Sequence, residues 1–109
     1  MIAMEQIQSL SRHIAREFRP ERILLFGSYA DGEPTDDSDV DLLIIMSFSG
    51  RPVRKAIEIR SRVRPKIPVD LIVRTPAQIA ERIAKDDWFM RDIVEKGRTL
   101  YEADNARMD

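Results

Sequence analysis

The sequence contains no cysteine. That excludes disulfides and thiolate metal sites, and it gives no sign of secretion. No apolar run approaches the roughly 18 residues that a membrane span needs. The opening "MIAMEQIQSL" carries an acid and no basic cluster, unlike a signal peptide. A cytoplasmic protein with no membrane segment is expected. A large positive excess is also missing: the net charge is −1, which argues against general nucleic-acid binding. The one histidine, His13, falls beside the apolar stripe of a helical segment and is expected to be a surface residue without a role. Two phosphate and metal motifs are absent as well. No Gly-Lys-Ser/Thr follows Gly27 or Gly32, so there is no Walker P-loop. Asp37, Asp39 and Asp41 match the first three ligands of an EF-hand, but Leu42 stands where that loop requires glycine.

What is present fits one domain over residues 1–109, with 43% apolar residues available for one core. Ile7, Leu10, Ile14 and Phe18 recur at steps of three and four, which predicts a helix over 4–18 that ends before Pro20. "RILLF" (22–26) and "DVDLLIIM" (39–46) read as strands, and "VDLIVRT" (69–75) as a third. Between the first two, "SYADG" suits a single helical turn, with Ser28 and Asp31 matching a capping box. Residues 52–63 read as a helix with Val53, Ile57, Arg60 and Val63 near helical spacing and bases on the other face. Thr75, Pro76 and Gln78 form an N-cap, a proline at the first helical position and a capping-box partner. That helix buries Ile79 and Ile83. "WFMRDIVEKG" gives a further helix with Phe89 and Ile93 on one side and Gly97 as its stop. "RTLYEAD" closes with a short strand, and "NARMD" is expected to fray. The order predicts an α+β fold, a small mixed sheet with helices packed on it.

The charges are segregated. Residues 31–41 hold six acids and no base, while residues 51–66 hold seven bases and one acid. Solvated faces account for most such blocks. They do not account for Asp41, which runs directly into "LLIIM". In a strand, residues i and i+2 share a face, so Asp39 and Asp41 point together. Their α-carbons would lie about 6.6 Å apart, and two unit charges at that distance repel by about 2.5 kcal/mol at an effective dielectric of 20. Asp70 opens "DLIV" as Asp41 opens "DLLII". If the two strands are neighbours in register, three carboxylates converge. Oxygen ligands without His or Cys suit a hard ion, Mg²⁺ or Mn²⁺, and such ions together with phosphates activate an attacking oxygen. An isolated D-x-D is a weak signal. Gly27 and Ser28 strengthen it, because a strand that turns into a helical start presents free N–H groups to an anion, and a glycine lets phosphate approach closely.

Gly27-Ser28, ten residues, then Asp39-Val40-Asp41 resembles the G-S-x10-D-x-D signature of the polymerase-beta-like nucleotidyltransferase superfamily, and within it the minimal nucleotidyltransferases, the MNT group. "LLFGSYADG", "DSDVDLLII" and "FMRDIVEKGRTLYE" match that group's usual context, and the resemblance covers roughly residues 5–102. It implies the nucleotidyltransferase fold and transfer of a nucleoside monophosphate, usually AMP from ATP, to an acceptor hydroxyl with release of pyrophosphate. By position, Asp39 and Asp41 would hold two metal ions, Asp70 would hold the catalytic one and help deprotonate the acceptor, and Gly27 and Ser28 would hold the triphosphate. Many relatives carry Arg where this chain has Asp31, so a cation near the phosphates is replaced by an anion. Small members of the group are often paired with a HEPN-domain ribonuclease toxin, and some are antitoxins that attach AMP to a tyrosine of it. Larger relatives add a helical domain for the acceptor; here a partner protein or a second copy of the chain would supply that surface. A non-catalytic module that neutralises a toxin by contact is the alternative function.

Overall fold

The computed structural model describes residues 1–104. Nine elements follow in chain order. They are α1 (Met4–Phe18), β1 (Arg22–Phe26), α2 (Ser28–Asp31), β2 (Val40–Ile45), α3 (Pro52–Val63), β3 (Val69–Arg74), α4 (Pro76–Ala84), α5 (Trp88–Lys96) and β4 (Arg98–Glu102). The expected α+β architecture, a small mixed sheet with helices on it, is what the chain forms. The expected fraying of 105–109 lies outside the described residues. Among the described residues no helix is long and apolar enough to cross a membrane.

The four strands form one sheet in the order β3-β2-β1-β4. β1 pairs antiparallel with β2 and with β4, while β2 and β3 run parallel. A parallel pair cannot be closed by a tight turn, and α3 is the crossover that joins it. The strands are apolar on both sides because helices cover both faces. Ile23, Leu25, Val40, Leu42, Ile44 and Val73 pack with Ile7, Leu10 and Ile14 of α1 and Ile59 and Val63 of α3. Leu24, Leu43 and Ile45 pack with Ile79 of α4 and Met90 and Ile93 of α5.

Two helices bury only part of the stripe their spacing suggests. In α3 the stripe of Val53 and Ile57 faces solvent, 62% and 59% exposed, while Ile59 and Val63 are buried. Both pairs stand four apart, and α1 and the sheet select the second. In α5, Ile93 is buried as expected, but Phe89 is 57% exposed and Met90 packs in the core beside Ile93. Phe89 approaches Phe26 edge-on, with ring centroids 5.8 Å apart. The α4 start forms as its sequence reads. Thr75 Oγ1 accepts from the Gln78 N–H at 3.1 Å, and Gln78 Oε1 accepts from the Thr75 N–H at 2.9 Å.

Candidate active site

β2 and β3 align residue for residue, so that Asp41 is the register partner of Asp70. Paired residues of adjacent strands project from one face. Side chains alternate along β2, and Asp41 shares its side with Leu43 and Ile45, which pack under α4 and α5. Asp39 was expected to open the strand, but β2 begins at Val40; Asp39 ends the preceding loop, near enough for its charge to act on Asp41. The parallel register thus carries Asp41 and Asp70 to one end of one sheet face, with Asp39 in the loop that leads into β2. Asp41 is half-buried, and Asp39 and Asp70 are exposed.

The electrostatics follow from that placement. Burial raises the Asp41 carboxyl pKa above the usual carboxylate value, and the charges of Asp70 and Asp39 raise it further. Two like charges that push on a third are relieved by a cation. Oxygen-only donors suit a hard divalent ion. Among the described residues no three His, Cys, Asp or Glu side chains cluster tightly enough to hold an ion by themselves. Magnesium is ordinarily bound by one or two carboxylates with substrate phosphates completing its shell. Paired Asp41 and Asp70 fit that mode.

The turn after β1 closes the other side. Phe26 is the register partner of Asp41 across β1 and β2, and Gly27 follows it. Gly27 has φ 76° and ψ −157°, a conformation essentially reserved for glycine. A side-chain carbon there would overlap Asp41 Oδ2. Gly27, rather than Ser28, is the N-cap of α2. No side-chain cap bond forms, so the expected capping box of Ser28 and Asp31 is absent. Ser28 is instead the first helical residue. As the first two helical residues, Ser28 and Tyr29 have N–H groups with no intrahelical acceptor. Tyr29 anchors the turn: its ring is buried, and its hydroxyl accepts the Ile2 N–H at 3.0 Å. Asp36 and Asp37 belong to the exposed loop between α2 and β2, as their composition suggests.

Sequence reasoning did not find the small cavity beside the turn. It holds about 130 Å³ and lies between Gly27, Ala30 and Asp31 on one side and Phe89, Asp92 and Lys96 on the other. Its aromatic wall comes from Phe26 and Phe89, and no local spacing signals that these two meet.

The nucleotidyltransferase domain family matches residues 7–101. A curated protein of Methanocaldococcus jannaschii, named "Putative protein adenylyltransferase", is 34% identical over 86 residues, which cover 76% of this chain and 80% of that protein. A "putative nucleotidyltransferase" crystal structure from Sulfolobus solfataricus superposes with a TM-score of 0.58 at 25% identity, covering 72% of this chain and 71% of the other. A toxin–antitoxin crystal structure with AMP-PNP gives a TM-score of 0.58 at 19% identity, covering 90% of this chain and 75% of that one, a likeness of fold.

Proposed function

The chain belongs to the nucleotidyltransferase domain family, and on that premise we propose that it moves AMP from ATP onto a hydroxyl of a partner protein. The acceptor is a tyrosine of a HEPN-type toxin, which makes the chain the antitoxin of a pair. The name of the Methanocaldococcus relative and the fold shared with a toxin–antitoxin structure support this reading. The observation that carries it is the parallel register of Asp41 with Asp70, next to a turn whose glycine abuts Asp41.

The roles divide by position. The N–H groups and hydroxyl of the Gly27-Ser28 turn receive the triphosphate and hold the α-phosphorus over the carboxylates. Asp39, Asp41 and Asp70, together with the substrate phosphates, would hold Mg²⁺, with Mn²⁺ as a substitute. The ion, when bound, supplies neutralisation of the phosphate charge and Lewis acidity at the reacting oxygens. The acceptor oxygen bonds to the α-phosphorus, the bond to the β-phosphate oxygen breaks, and pyrophosphate leaves. Asp70, exposed on the edge strand β3, takes the hydroxyl proton. Its place on the edge leaves the acceptor's approach open.

Label transfer from α-labelled ATP to the purified toxin tests the proposal. Wild type labels the toxin, and Asp41→Ala does not. Unchanged labelling by Asp41→Ala would remove the carboxylates from the mechanism. A second reading has one residue in its favour: Asp31 places an anion on the phosphate turn. If wild type transfers no label and still silences the toxin at one-to-one stoichiometry, the chain is a binding module.

A further inference from the structure

On the sheet face opposite the carboxylates, α1 and the C-terminal end of α3 flank a groove of about 620 Å³. Its floor is apolar, with Leu10, Val63 and Ile67 along it. Its rim carries Arg12, Arg16, Arg64 and Lys66, with the His13 imidazole among them and Glu5 as the opposing charge. His13, expected on the open surface, is half-buried here. The four cations are exposed, and none has an ion-pair partner among the described residues. The other side of the molecule contrasts with this. On α4, α5 and the turn between them, Arg82, Lys85, Arg91 and Lys96 each stand within 3.6 Å of a carboxylate. Among the described residues, the groove thus gathers four cations without ion pairs around an apolar floor.

We propose that this groove docks an acidic, amphipathic segment of the protein acceptor, apolar on the side that enters and carboxylate-rich along its edges. The apolar floor favours a peptide over a nucleic-acid backbone, which would use the cations and leave the floor unmatched. No Phe, Tyr or Trp lines the groove to stack on a base. The volume is within the range of sites that hold a specific ligand. Docking here leaves the carboxylate face free, so a tethered acceptor is concentrated near the site without blocking it. That the docked protein is the acceptor rests on the function proposed above; the groove's preference for such a segment does not.

Backbone amide NMR of the full chain tests the groove directly. The probe is a synthetic helical peptide with leucines at i, i+4 and i+7 and glutamates between them. The expected result is shifts at Arg12, Arg16, Arg64, Lys66 and Ile67. A variant carrying Arg12→Glu and Lys66→Glu, checked for an unchanged Tm, should bind the peptide roughly tenfold or more weakly, and added salt should weaken the wild-type complex. Shifts confined to Val53 and Ile57, tighter binding of an oligouridylate at the same rim, or loss of self-association in the variant without peptide binding would each overturn the proposal. Label transfer separates the two ideas. Peptide binding without any AMP transfer leaves the groove standing and removes the acceptor role. Transfer with an acceptor KM unaffected by the variant, and no peptide binding, leaves the function standing and removes the groove.

Discussion

A side-chain carbon on Gly27 would collide with the carboxylate of Asp41, reaching its Cγ at 3.3 Å. Gly27 directly follows β1 and Asp41 lies on β2, with α2 and its loop between them in the chain; the antiparallel register that pairs Phe26 with Asp41 brings them together. The phosphate turn and the acidic strand are thus one packed unit. Moving either residue moves the other.

Gly27→Ala is expected to destabilise the protein by about 2 kcal/mol or more, because the glycine-only backbone conformation alone costs about 1–3 kcal/mol in any other residue and the overlap with Asp41 adds to it. Urea denaturation measures this. A midpoint within error of wild type would mean that the turn relaxes freely and does not fix Asp41.

The raised Asp41 carboxyl pKa has a definite sign in stability. The folded chain holds this proton more tightly than the unfolded chain does. Across the window between the usual carboxylate value and the raised one, the folded state binds more protons, so this group's contribution to stability falls as pH rises. Above that window the ionised Asp41 is a net burden on the metal-free fold. Asp41→Asn is therefore expected to raise the neutral-pH Tm by a few degrees and to flatten the acid side of the stability profile, while it abolishes AMP transfer. Millimolar Mg²⁺ should stabilise wild type more than the variant. A neutral-pH Tm lowered by Asp41→Asn without metal would show that the carboxylate is held by partners that favour its charge.

Thr75→Ala should cost about 1 kcal/mol through loss of the reciprocal cap at α4, whereas Thr75→Ser should keep most of it. The α4 cap is remote from the carboxylates in sequence, so label transfer per folded molecule stays unchanged. Equal losses for Ala and Ser would trace the effect to the γ-methyl group rather than to the hydroxyl.

The same contrast separates what could be read from the sequence from what could not. Features set by neighbouring residues were legible: the α4 cap and the ends of α1. The pairing of Asp41 with Asp70 was legible only as a condition, because the repeat "DLLII" and "DLIV" suggests register without saying which strands adjoin. Orientation was not legible where two stripes compete. Val53 with Ile57 and Ile59 with Val63 have the same spacing, and only contact with α1 and the sheet decides between them. Phe89 reads as core by its size, yet Met90 and Ile93 occupy the space beneath α5. The basic block 51–66 read as a solvated face. Its last part, with α1, builds a groove, which depends on a helix about fifty residues earlier in the chain.

Asp31 gives the sharpest test of the phosphate turn. It is exposed, it closes α2, and it lines the cavity that opens beside Gly27. A triphosphate held by the N–H groups of that turn would meet its negative charge. Asp31→Arg removes an anion and adds a cation at the same point. Each change is worth up to about 1 kcal/mol at an exposed position, so ATP affinity should rise by up to roughly thirtyfold. The gain should shrink as salt is raised, because the charge is open to solvent. Titration of a fluorescent ATP analogue against both proteins at two ionic strengths reads this directly. The intermediate Asp31→Asn should fall between them. Identical affinities at low salt would place the phosphates away from α2, and the Gly27-Ser28 assignment would fall with them.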